Sequence, residues 1–256
     1  MKIKDILLDC WILTKRSMKH IVKNMDQLLG VAIMPIMFLL LFRYVFGGAI
    51  DTGGTTYINF LVAGILVQTL AFGASTTAIN LVLDMKRGVI DRFRSLPMFA
   101  PGLVVSHTVA DLIRNVLSGV IMILVAFLVG FRPTAGFTEW LMIIGLLLLF
   151  TFAISWLSAI LGLLAKSFEA IQWMTFVIIM PLTFASSAFV PTEGMPSAIK
   201  WFAENQPFTQ VIEAMRAWMV GTPVGDSALM AFIWCVGILI VSIPLAIFLF
   251  NRKIPN

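Results

Sequence analysis

The chain has 256 residues, of which 60% are hydrophobic and only 12% charged, and its mean hydropathy is +0.99. A soluble domain carries about 25% charged residues. A core of this size cannot hide so much apolar surface, so the composition excludes water as the main solvent and makes the chain a membrane protein. The net charge of +5 does not point to nucleic acid, because the basic residues sort by membrane side.

Residues 1–27 are mixed rather than apolar. In IKDILLDCWILTKRSMKHIVKNM, Ile6, Cys10, Leu13 and Ile21 fall near one helical face, and Lys4, Lys15, Lys19 and Lys23 are its charged positions. The pattern predicts an amphipathic helix lying in the membrane interface with its bases near anionic headgroups; a solvated helix end is the alternative. No small-residue cleavage pattern follows the first apolar run, so no removable leader is expected.

A helix rises about 1.5 Å per residue and the hydrocarbon core is about 30 Å thick, so a crossing needs about 20 apolar residues. Six runs answer to that: Leu28–Phe46, Tyr57–Leu83, Leu103–Gly130, Trp140–Ala165, Ala170–Phe189 and Ala228–Phe250. They are continuous rather than alternating, which excludes barrel strands. The expectation is an all-α protein with a single transmembrane domain of six helices over residues 1–256.

Sidedness follows from Lys and Arg. Lys2, Lys4, Lys15, Arg16, Lys19 and Lys23 precede the first span; Lys86, Arg87, Arg92 and Arg94 follow the second; Lys166 follows the fourth, and Arg252 and Lys253 the sixth. The opposite side holds Arg43, Arg132, Lys200 and Arg216. This asymmetry predicts a multi-pass protein of the cell membrane with both termini in the cytoplasm.

The loop after span two, Asp84–Gly102, is then cytoplasmic. Read as a helix, it places Val89, Ile90, Phe93 and Leu96 on one face and Arg87, Asp91 and Arg94 on another, with Arg92 flanking. Gly88 lets the chain bend away from span two, and Pro97 and Pro101 end the helix before span three. An apolar ridge between charges is a shape for docking onto a protein. An ordinary positive-inside loop is the alternative, but such a loop has no reason to carry Phe93 at helical spacing from Val89 and Leu96.

Polar residues interrupt the spans. Span two carries Gln68, Ser75, Thr76 and Asn80, with Phe72 between; span five carries Gln172, Thr175, Thr183, Ser186 and Ser187, with Pro181 as a potential kink. Two such stripes on facing helices either line a substrate route or hold the helices together by hydrogen bonds. Asp111 and Arg114 share a face of span three at i, i+3. Their place near the start of the span predicts a boundary pair, with Arg114 snorkelling to the interface; ion coupling is the alternative. Between spans five and six, Pro196 and Pro207 open SAIKWFAENQ and FTQVIEAMRAWMVG, predicting two short helices broken at Gln206–Pro207. Trp201, Phe202 and Trp218 suit the outer interface. Cys10 and Cys235 form no disulfide or metal spacing, and His20 and His107 add no metal site.

Four segments carry a family resemblance: MPIMFLLLFRYVFGGAI (Met34–Ile50), YINFLVAGILVQT (Tyr57–Thr69), RGVIDRFRSLPM (Arg87–Met98) and FVPTEGMPSAIKWFAENQPFTQVIEAMR (Phe189–Arg216). In this order, within six spans, the chain resembles the type-2 family of ABC exporter permeases, in particular its daunorubicin-resistance branch. The resemblance implies that Arg87, Val89, Ile90, Asp91, Arg92, Phe93, Arg94, Leu96 and Pro97 form a coupling helix seated in a groove of a cytoplasmic ATPase. It also implies two extracytoplasmic half-helices that close the outer end of the pathway, with Pro191, Pro196, Trp201, Pro207 and Trp218 as gate residues.

No G-x-x-x-x-G-K-[ST] phosphate loop is present, and GGAIDTGG (Gly47–Gly54) lacks a lysine. The chain is therefore expected to be no enzyme, to hold no catalytic residue or metal of its own, and to rely on two separate ATPase subunits that bind ATP and Mg. A second copy of itself or a related permease would complete the route, in contact with membrane lipid and without nucleic acid. An interior with 15 Met and 21 Phe suits a hydrophobic or amphipathic cargo such as a drug, an antibiotic or a lipid-like molecule. Polysaccharide or glycolipid export, an ion-gradient-driven carrier and a non-transporting scaffold are the rival readings.

Overall fold

A computed structural model of the chain describes residues 12–15, 25–50, 52, 55–88, 102–165 and 167–253. Among these residues the structure is helical, with no strand. Six apolar helices occupy the six apolar runs: α1 (Met25–Leu41), α2 (Tyr57–Lys86), α3 (Gly102–Leu128), α4 (Phe137–Leu164), α5 (Phe168–Phe184) and, after two short helices, α8 (Ser227–Lys253). The two short ones are α6 (Ser197–Asn205) and α7 (Pro207–Val220), meeting at Gln206. The predicted interfacial helix lies mostly outside the described residues; residues 12–15 of it are helical.

Four helices, α2, α3, α4 and α8, are long and apolar enough to cross a membrane. At 17 residues, α5 reaches only about 25 Å at about 1.5 Å per residue. A π-helical turn, Phe42–Phe46, continues α1. There Phe42 stacks on Phe189 with ring centroids 4.5 Å apart.

The bundle is arranged around α2, whose neighbours are α1, α3, α4, α5 and α7. In its most apolar stretch 89% of residues are buried, against 17% in α8. The outward faces of α8 and α3 show Leu229, Phe232, Ile240, Phe248, Val116, Val120 and Leu124. So much apolar surface on a folded chain needs a hydrocarbon solvent.

Small residues set how closely the helices approach α2, since without water between them helices associate by backbone proximity. A Cβ at Gly162 of α4 would lie 2.8 Å from the Cα of Ala78 on α2. One at Gly64 of α2 would run into the backbone of Ala188. At the far end of α2, Gly88 takes a left-handed conformation (φ 65°) just after Lys86. That is the bend expected there, in a region of backbone space that favours glycine.

Candidate functional site

Buried polar groups lie at three levels along α2, from one end to the other. The end bearing Lys86 and Arg87 is here the basic end; the end bearing α6 and α7 is the hairpin end.

At the basic end the predicted docking residues divide. Arg87 is described: it ends α2 with its N–H donating to the Leu83 carbonyl, and the Gly88 N–H donates to that of Met85; Val89, Ile90, Asp91, Arg92, Phe93, Arg94, Leu96 and Pro97 lie outside the described residues. At this end two carboxylates are buried between α2 and α3. Asp84 meets His107 Nε2 at 3.0 Å. Asp111, fully buried, pairs with Arg114 and accepts from the hydroxyls of Thr76 and Thr77. Arg114 is only 3% exposed, which corrects the snorkelling expectation. The paired carboxylate and the threonines that anchor it hold the guanidinium inside, because a buried charge is retained where its counter-charge is itself hydrogen-bonded.

Midway along α2 a cavity of about 270 Å³ opens between α1, α2 and α5. Met34, Pro35, Phe38, Phe72, Phe176 and Met180 line it, and so does Gln68. The Gln68 side chain is 2% exposed, and neither amide atom has a hydrogen-bond partner. An unpaired buried amide costs about 1–3 kcal/mol by mutational measures. The site is thus a flexible apolar cup with a single polar group able to donate or accept.

The two predicted stripes do not run continuously along this cavity. From α2, Gln68 and Phe72 line it, whereas Ser75 donates to the Phe72 carbonyl at 2.6 Å and Thr76 to Asp111. From α5, Phe176 and Met180 contribute rather than the polar residues. Thr175 is buried, Thr183 bonds back to the Ile179 carbonyl at 2.8 Å, Gln172 is exposed and Asn80 half-buried. On another side of α2, Asn115 lines a smaller groove of about 140 Å³ with Thr151 and apolar residues of α2, α3 and α4. Its amide also lacks a partner.

At the hairpin end the two short helices form where the prolines predict them. Pro207 occupies the first turn of α7 and Gly221 closes it in a left-handed cap (φ 77°). Of the expected gate residues, Trp201 is 69% exposed, Pro196 exposed, Pro191 and Pro207 half-buried, and Trp218 packed against the core. The groups that join this end together are others. Gln206 donates through Nε2 to the carbonyls of Leu182 (2.7 Å) and Ala185 (3.2 Å). Tyr57 donates to the Phe189 carbonyl at 2.9 Å.

Arg216 of α7, in the charge pattern only one more outer cation, has a structural place that its position in the sequence does not show. It is buried, its guanidinium 3.5 Å above the Phe60 ring. Nε donates to the Phe60 carbonyl (3.2 Å), Nη2 to the Ser187 carbonyl (2.5 Å) and Nη1 to Glu213 (2.7 Å). Burial pulls its pKa below the ordinary value while Glu213 pulls the other way; guanidinium remains protonated in either case. A cation alone in the apolar run VIEAMRAWMV was the available signal.

The fold and this geometry define a polytopic membrane protein with an apolar cavity beside its central helix. Residues 9–220 match the family described as ABC-2 type transporter, and the chain belongs to that family. It is 31% identical over 227 residues to the daunorubicin resistance ABC transporter permease protein DrrB1 of Streptomyces coeruleorubidus, covering 89% of this chain and 80% of that one. It is 25% identical over 240 residues to the probable doxorubicin resistance ABC transporter permease protein DrrC of Mycobacterium tuberculosis, covering 91% and 85%. Nodulation protein J of Rhizobium meliloti is 28% identical over 184 residues, covering 69% and 66%.

Proposed function

We propose that this chain is the membrane-spanning subunit of an ATP-driven exporter that moves a hydrophobic or amphipathic molecule outward. Family membership supports the permease role, and relatives named for daunorubicin and doxorubicin resistance support a drug-like cargo. The observation that carries the substrate class is the cavity of Met34, Phe38, Phe72, Phe176 and Met180 around the unpaired amide of Gln68. Met side chains accommodate varied shapes, aromatic rings stack on flat guests, and one amide selects a molecule with a hydroxyl, carbonyl or amine on an apolar body.

In this reading both termini and the basic end face the cytoplasm, as the Lys and Arg distribution supports, and the hairpin end faces outward. The segment from Arg87 to Pro97 docks on a separate ATPase subunit that binds ATP and Mg. Two permease copies, or one copy and a relative, stand over two ATPase subunits. Closure of the ATPase pair pushes the docking segments and tilts the spans as rigid bodies.

Co-expression with candidate ATPase subunits tests it. The complex should form, and Phe93→Asp or Arg94→Glu should dissolve it. Inside-out vesicles should then accumulate an amphipathic dye only with ATP, and a proton uncoupler should leave uptake unchanged. Uptake that collapses with the uncoupler and ignores ATP would replace the exporter by an ion-gradient carrier.

A further inference from the structure

Helix α7 is tied down at three points along its length. At its start, Gln206 bonds the Leu182 and Ala185 carbonyls at the end of α5. At its centre, Arg216 reaches Phe60 of α2 and Ser187 of the turn after α5. At its end, the Met219 carbonyl accepts from the Thr134 backbone at 2.9 Å. Each of these neighbours is fastened in turn to the start of α2. The 185–190 turn is held by Tyr57 and pressed onto Gly64 through Ala188. The loop after α3 is held by Asn59, which exchanges two hydrogen bonds with the Arg132 backbone at 3.0 and 3.1 Å.

Arg216 is the member of this set that no other residue type replaces. Its planar fork serves two carbonyls on different elements and a carboxylate at once while stacking on a ring; a lysine ammonium is a point charge without that geometry. Its acceptors are main-chain carbonyls, so it clamps backbone to backbone. A short helix built as a separate lid would carry few buried side chains and few fixed hydrogen bonds, whereas Phe208, Val211, Ile212, Ala214, Met215 and Met219 of α7 are all buried.

We propose that Arg216 is a positioning residue that fixes α7 to the outer end of α2, so that the outer end opens by movement of α2 and not by swinging of α7. The idea rests on the exporter reading for its consequence in transport, but the clamp itself can be measured without transport. Under that reading, motion started at the docking segment beyond Lys86 travels along α2 and takes the hairpin end with it.

The test uses spin labels on Thr56→Cys and Thr222→Cys, two exposed positions at the start of α2 and just beyond α7, in the full-length permease with its ATPase subunits. The wild-type distance should be narrow and unchanged when a non-hydrolysable ATP analogue is added. In Arg216→Met the distribution should broaden, and dye moved per ATP hydrolysed should fall about tenfold, equivalent to about 1.4 kcal/mol. Arg216→Lys, which keeps the charge, should fold and still show the broadening. A wild-type distance that shifts with nucleotide, or Arg216 variants with a distribution as narrow as wild type, would overturn the clamp. If no ATPase supports dye uptake by the wild type, the exporter reading fails, while the width in Arg216→Met and Arg216→Lys still decides the clamp.

Discussion

Two stretches of one helix, α2, treat polar groups in opposite ways. At its start, Tyr57, Asn59 and the Phe60 carbonyl all have partners, and Arg216 uses all three of its nitrogens. Two turns further on, Gln68 is as deeply buried and has no partner at all. Burial alone does not distinguish a structural polar group from a recognition group; a buried group that lacks a partner and lines a cavity is the candidate for the second. A satisfied network rigidifies, and an unsatisfied amide beside a cavity holds free energy that a guest can recover.

This contrast can be broken by substitution, and the largest effect is expected where a charge is stranded. Asp111→Ala removes the counter-charge of Arg114 inside the bundle and should lower stability by about 3–5 kcal/mol, seen as a lower unfolding temperature in detergent. Gly64→Leu forces a side chain into the Ala188 backbone and should cost about 1–3 kcal/mol through overpacking. It should also loosen the hairpin end. Gln68→Leu should leave stability unchanged or raise it by about 1 kcal/mol, because an orphan amide is replaced by an apolar group. Gln206→Leu, which removes an amide whose Nε2 donates to the Leu182 and Ala185 carbonyls, should do the reverse. Tyr57→Phe, deleting the bond to the Phe189 carbonyl, should cost about 1 kcal/mol. The smallest change is expected for Lys200→Ala, whose exposed partner Glu204 lies 3.8 Å away; unfolding should shift by less than about 0.5 kcal/mol.

The apolar helices were legible because lipid imposes a length and an unbroken apolar run, both visible in one dimension. The joint at Gln206 was legible from Pro207, which fits a first turn and not a helix interior. Of the stripe on α2, Gln68 and Phe72 line the cavity, whereas Ser75 and Thr76 bond to the Phe72 carbonyl and to Asp111. Helical spacing gives the face of a residue and not what stands opposite. Arg216 escaped for a related reason: its acceptors are carbonyls 156 and 29 residues away in the chain, and a carbonyl has no letter in the sequence. The inward turn of Arg114 was not legible because the two threonines that anchor Asp111 sit on another helix.

The most direct measurement is equilibrium binding of a fluorescent amphipathic dye to the purified permease, comparing wild type, Gln68→Leu and the exposed control Trp201→Ala. Loss of one hydrogen bond in an apolar cup should weaken binding about tenfold in Gln68→Leu, with its unfolding temperature maintained and the control unchanged. Wild-type affinity in Gln68→Leu, or equal weakening in both variants, would contradict the assignment of this cavity as the place where cargo is recognised.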